Sequence, residues 1–161
     1  MRKKTHPRLT FGACLLALAL AVLSACGGGG ESEHLPVYRE QMDAFFDQIV
    51  YYDGAINAID AEADSAADEL LDLLNELAAV IHEMTAYEVP DVFPAIEELA
   101  AQSDQYMTEA LRLYRLAFAD GDYDENIADA ALENYQRANL RLRYIGDILR
   151  GDLPEDIFTI E

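Results

Sequence analysis

Apolar residues recur every three or four positions along most of this chain, a spacing that predicts helices. A first stripe runs Tyr38, Met42, Phe45, Ile49, Tyr52, Ile56 and Ile59. Pro36 stands just before it and suits a first helical turn, where a missing N–H costs nothing. A second stripe is Leu70, Leu73, Leu77, Ile81 and Met84. Pro90 and Pro94 then mark a boundary, with Asp91 placed to cap the next helix. The third stripe is Ile96, Leu99, Tyr106, Ala110, Leu113 and Ala117, and the segment "ADGDYDEN" breaks it. The fourth is Ala128, Ala131, Tyr135, Ala138, Leu142, Ile145 and Leu149, closed by Gly151 and Pro154.

The join between the first two stripes admits two readings. The register carries through Ala63 and Ala66, so one helix of about 50 residues, about 75 Å long, is the alternative, with two shorter helices after it. Coverage argues against it: the shorter helices would leave Phe45, Phe46, Ile49 and Ile56 in water. A break at 60–65 gives four helices of similar length. Asp64 and Ser65 suit capping, and Asp68 and Glu69 suit a first turn. The expected fold is all-α, an up-down-up-down four-helix bundle over residues 36–152, with a short tail at 153–161.

Before the first stripe the pattern changes. Arg2, Lys3, Lys4 and Arg8 come first, and an apolar run of 13 residues extends from Phe11 to Leu23. Such a run is too short to span a bilayer and has the length of a signal-peptide core. It ends in Leu23-Ser24-Ala25-Cys26, followed by four glycines and Glu31-Ser32-Glu33. This start resembles that of bacterial lipoproteins, with Leu23 in the first position of the lipobox, Ser24 and Ala25 in the small positions, and Cys26 in the modified one. The resemblance covers about the first 30 residues. It implies cleavage after residue 25, a diacylglyceryl thioether on Cys26 and often a further acyl chain on the new amino group. The organisation expected is then a leader at 1–25, a lipidated Cys26 with a Gly-rich tether at 26–35, and the helical domain. The tether would reach on the order of 17 Å. Two or three acyl chains suffice for stable anchoring, whereas one is marginal. The layout as a whole also resembles small lipoproteins of Gram-positive bacteria. Gly27 carries no aspartate-type retention signal, which in a two-membrane cell implies the outer membrane and in a one-membrane cell the outer face of the plasma membrane.

Charge changes the picture next. All 31 acidic residues come after Cys26, and the bases after it are seven arginines and no lysine, a formal balance of −24. Such a surface excludes nucleic acid, which needs a basic footprint. It also holds the domain off anionic headgroups. Cations, basic proteins or plain solvation are what it favours. Cys14 leaves with the leader and Cys26 is taken by lipid, so the expected domain has no thiol for a disulfide, a metal or catalysis.

Candidate chemistry is thin. Asp120, Asp122 and Asp124 occupy the first, third and fifth positions of a calcium loop, but Glu125 stands where glycine is needed and Ala131 where a bidentate Glu should be. A helix-helix turn, ended by Gly121 and capped by Asp122 or Asp124, accounts for the same residues. The stretch from Gly121 to Ala138 resembles one tetratricopeptide unit, but no second copy occurs, and that family repeats every 34 residues or so. The only Glu-x-x-His pair, Glu31 to His34, lies in the tether, so no di-iron site is expected. His82 reads as a surface or boundary residue. No phosphate loop, Ser-His-Asp set or activated thiol is present, and no enzyme and no cofactor is expected. Tyr52, Tyr106, Tyr135 and Tyr144 fall on apolar stripes, where buried rings need hydroxyl partners. Arg137, Arg141 and Arg143 lie near Tyr135 and Tyr144 on the last helix. They form the one place suited to an anion, although Glu133 is also placed to pair with Arg137.

Two functional readings are open. The first is a non-enzymatic accessory or scaffold anchored by lipid on the outer side of a bacterial membrane, acting through an envelope protein partner. The second is a binding module, for a cation at 120–126 or a small anion near Arg137 and Tyr144.

Overall fold

The structure is a computed structural model that describes residues 34–119 and 123–152. Among these residues the chain forms four helices and no strand: α1 (Leu35–Asn57), α2 (Ala66–Met84), α3 (Ile96–Ala117) and α4 (Glu125–Arg150). The leader, Cys26, Asp120, Asp122 and the tail lie outside the described residues. None of the described helices is long and apolar enough to cross a membrane.

The single long N-terminal helix is overturned. α1 stops at Asn57, and Asp60 makes the turn after it. Its carboxylate accepts from the Glu62 N–H at 3.1 Å, and its carbonyl accepts from Ala63 N–H at 2.9 Å. A side chain that satisfies a local N–H in a turn competes with helix continuation. The resulting lengths, 23, 19, 22 and 26 residues, let each helix cover its neighbours.

The helix ends are set by several devices. Pro36 sits in the first turn of α1. Asp124 caps α4: its Oδ1 accepts from Asn126 N–H at 3.0 Å and Ile127 N–H at 3.1 Å, a contribution of about 0.5–2 kcal/mol. Gly151 closes α4 at φ 88°, where a side chain would be strained. Ser65 stands at the cap position of α2 but makes no capping bond. Asp91 does not cap α3, which begins at Ile96 after Ala95; the Pro90 carbonyl instead accepts from Phe93 N–H in a preceding turn. Acids fill the first turns of α2, α3 and α4, and Arg115 and Arg150 the last turns of α3 and α4, as the helix dipole favours.

One continuous core joins all four helices. α1 contributes Tyr38, Met42, Phe45, Phe46 and Ile49, α2 Leu70, Leu74, Leu77 and Ile81, α3 Ile96, Leu99 and Met107, and α4 Leu142 and Ile145. The helices do not approach one another equally. The backbones of α3 and α4 run closest over most of their length, and α1 stands furthest off, packed chiefly on α2. Residue size explains the difference. Ser103, Ala110 and Ala117 recur every seven residues on α3, as Ala131 and Ala138 do on α4, and all five are fully buried. Interaxial distance depends on the side chains at the contact, about 8–10 Å. Small residues bring α3 and α4 to the low end, while phenylalanines hold α1 away.

The Ser103 hydroxyl donates to the Ala138 carbonyl at 3.2 Å, which only close backbones permit. Ala138→Leu should therefore force the pair apart, break that bond and cost about 1–3 kcal/mol through overpacking. Urea unfolding checks this as a lower midpoint with an unchanged slope.

Candidate functional site

The most unusual polar group of the described chain lies on this α3–α4 seam. Arg141 of α4 is only 5 % exposed. Its Nε–H donates to Gln102 Oε1 at 3.1 Å, and the Gln102 amide in turn donates to Glu98 Oε1 at 3.1 Å. Its guanidinium carbon lies 4.9 Å from the Tyr106 ring centroid, and that of Arg137 lies 5.8 Å from the same centroid. Both fall within cation–π range. Arg137 is paired with Glu133 at 2.6 Å on the exposed side of α4. Among the described residues Arg141 has no carboxylate within 4.0 Å, and its Nη1 is sealed from solvent without a hydrogen-bond partner there.

α3 and α4 hold this arrangement rigidly. Gln102 and Tyr106 are four residues apart and so share one face of α3, as Arg137 and Arg141 share one of α4. The Ser103–Ala138 bond sits between them and fixes their relative height. A buried cation without an acid carries a desolvation cost that a cation–π contact and one amide offset only in part. Arg141→Met keeps the stem and removes the charge, so its stability should match or exceed that of the native chain, by up to about 2 kcal/mol. Arg141→Ala loses the stem packing too and should fall below both. Denaturant midpoints of the two variants check the order.

Sequence reasoning singled out Arg137 and Arg141, near Tyr135 and Tyr144 along α4, and did not find the ring of α3 that they cover. The two guanidiniums cover Tyr106 of α3; Tyr135 is buried on α4 and Tyr144 is half-buried against the core. Arg143 is exposed and has no carboxylate within 4.0 Å among the described residues. Tyr106 and Gln102 were not linked to the arginines because they lie more than 30 residues away, where periodicity along a helix carries no information.

The other candidates are settled by their neighbours. Of the calcium trio only Asp124 is described, and its Oδ1 holds two helix N–H groups. Among the described residues no group of three or more His, Cys, Asp or Glu is placed to hold a metal ion. The His82 side chain is 75 % exposed, with Nδ1 3.1 Å from Asp104 Oδ2 of α3. An aromatic cluster forms at the end of α3. Tyr114 stacks on Phe118 at 6.3 Å and 11°, and Tyr123 packs on Phe118 at 5.5 Å. Burial raises the Tyr114 phenol well above its ordinary range, helped by Tyr135, Tyr123 and Asp129. Such a hydroxyl stays neutral and is a packing element.

A cavity of about 180 Å³ opens at the start of α1. Its walls are His34, Val37, Tyr38 and Gln41 of α1 and its cap, and Ala86, Tyr87 and Glu88 of the chain after α2. Tyr38 alone among these is buried; it is 2 % exposed, and its ring lies 6.1 Å from that of Phe93.

Set beside known proteins, the chain matches no family model, no curated protein and no solved structure.

Proposed function

We propose that this chain is a lipid-anchored, extracytoplasmic helical-bundle protein of the bacterial envelope, held at Cys26 and acting by contact with a protein partner rather than by catalysis. The observation that carries the reading is the ordered start of the sequence: a basic segment, a 13-residue apolar run, Leu23-Ser24-Ala25-Cys26 and a glycine tether. The first helix begins at Leu35, directly after that tether. A formal balance of −24 after Cys26 suits an exported domain that stays soluble beside a membrane.

The bundle in this reading is up-down-up-down. Tyr52 of α1 lies beside Glu76 of α2, and Tyr38 beside the chain that comes after α2. Asn75 accepts from Arg115 and His82 meets Asp104, so the later residue of α2 meets the earlier residue of α3. Ser103 meets Ala138, and Ala117 meets Asp124.

Replacement of Cys26 by serine tests the anchor. The native chain should fractionate with membranes and incorporate labelled palmitate; the C26S chain should lose both. Retention of C26S in the membrane fraction overturns the lipid anchor. Cross-linking of the native chain in its own membranes, read by mass spectrometry, tests the contact role. One reproducible envelope partner is expected, and recovery of abundant bystanders alone sinks it.

A further inference from the structure

Among the described residues, Arg141 Nη1 is the one buried side-chain nitrogen or oxygen without a hydrogen-bond partner. The residue is 5 % exposed, and its Nε–H donates to Gln102. The Gln102 amide donates in turn to Glu98, so that carboxylate reaches the guanidinium only through an amide. Neither terminal nitrogen of Arg141 has an acceptor among the described residues. Buried donors are normally satisfied, and a charged one left over costs more than a neutral one. A methionine could bury the same stem on α4 without that cost. What the arginine adds is a planar pair of N–H donors, held in place by Gln102 and by the Tyr106 ring at 4.9 Å.

We propose that this pair receives the carboxylate of an aspartate or glutamate side chain on the protein partner, which rests on the contact role given above. The terminal N–H groups of arginine match the two oxygens of a carboxylate, a fit that a single-atom anion does not use. Arginine and tyrosine are also among the residue types that carry most of the binding energy at protein interfaces. Arg137 shares the Tyr106 ring at 5.8 Å, and its side chain is 47 % exposed. Its outward swing, together with Glu133, is the motion that opens the seam to Arg141. Charge selects the source of the carboxylate. A domain with a formal balance of −24 after Cys26 repels free anions, so a lone carboxylate arrives at a disadvantage. The same field draws in a partner surface that is basic around its one acid. That acid meets Arg141, while its basic neighbours meet Glu98 and Glu133, one helical turn from Gln102 and Arg137.

The whole chain, purified in detergent, is titrated with the peptide acetyl-Lys-Ala-Glu-Ala-Lys-amide and with a twin in which glutamine replaces the glutamate. Nuclear magnetic resonance signals of the Gln102 side-chain amide and the Tyr106 ring report occupancy in every variant, and the Arg141 Nε–H reports it in the native chain. The glutamate peptide should saturate them at a concentration about tenfold below that of its twin, although the twin carries the greater positive charge. Arg141→Met, which keeps the stem, should erase this preference. Arg141→Lys keeps the charge without the fork and should cut the preference to about threefold or less. Arg143→Met removes the same unit of charge from an exposed position of α4 and should leave the preference unchanged.

Equal saturation by the two peptides overturns the site, as does a preference that R141M retains or R143M abolishes. Sodium acetate, run against sodium chloride at equal ionic strength, tests the source. Saturation by acetate below the concentration of the glutamate peptide overturns a partner side chain in favour of a free carboxylate. The contact role fails separately. If cross-linking in native membranes recovers only bystanders while the peptide preference holds, the partner falls and the carboxylate site stands. If a partner is recovered while the peptides saturate alike, the site falls and the contact role stands.

Discussion

Phe45→Ala should remove about 3–5 kcal/mol of stability, the range for deleting a large ring from a core that cannot collapse. Phe45 is fully buried in α1 and meets Phe46 edge-on at 5.1 Å. Those two rings hold α1 at its distance from the rest of the bundle. With one gone, the helix cannot move in to fill the space while Phe46, Met42 and Tyr38 still prop it open. Since domains of this size are stable by only about 5–15 kcal/mol, the change takes a third or more of the total in a typical case. The urea midpoint should drop while the slope is kept. A loss under about 1 kcal/mol would show that α1 repacks freely, which the two-ring spacer forbids.

Alkaline pH should be the second large stress. The Tyr38 phenol is pushed up to about 12 by burial, from an ordinary value of 10.0. Below pH 10 neither the folded nor the unfolded chain ionises this group, and its contribution is fully present. Between about pH 10 and 12 the unfolded chain ionises first, so stability is lost as pH rises toward the folded value. Two units at about 1.4 kcal/mol each put the loss near 3 kcal/mol for Tyr38 alone. Tyr114, raised chiefly by burial, adds to it with the same sign. Tyr38→Phe should match the native chain at pH 8 to within about 0.5 kcal/mol, because the hydroxyl has no hydrogen-bond partner among the described residues to lose. At pH 12, where the folded group is half ionised, the variant should be the more stable by about 2 kcal/mol. Thermal melts of both chains at pH 8, 10, 11 and 12 check the crossover.

Much of this fold was written in the apolar spacing, and the failures share a cause. The fourth stripe, Ala128 to Ile145, is buried as read, and only Leu149 at its end is half-exposed. The break near Asp60 came from coverage, an argument about area rather than propensity. In α2 the run Leu70-Leu71-Asp72-Leu73-Leu74 offers leucines to two faces. Leu74 is the buried one and Leu73 only partly so, a choice made by the neighbour and not by the helix. In α3 the expected Tyr106 and Leu113 lie at the edge, while Ser103 and Met107 are fully buried. A serine carries no apolar signal, and its burial depends on a carbonyl 35 residues on.

The same limit governs the site. Arg137 and Arg141 were legible as a pair four residues apart. Tyr106 beneath them was not, because the pairing is decided by the register of two helices that small residues draw together. The cavity at α1 was invisible for a further reason. His34 and Gln41 are ordinary surface residues in sequence, and they converge with Tyr87 and Glu88 only when the chain after α2 folds back across Tyr38.

The uneven spacing of the helices has a mechanical meaning. A pull delivered through residue 34 enters the protein at the first turn of α1, the helix whose backbone stands furthest from its neighbours. Load applied there acts on one row of contacts at a time, starting with Leu35 and Tyr38, as a zip opens tooth by tooth. The α3–α4 pair, whose backbones run closest, yields after that row of contacts. Unfolding under load is a matter of rate, and the lowest barrier on the load path sets it. A tether drawing on residue 34 would therefore load the most loosely packed helix first and the closely packed α3–α4 pair last.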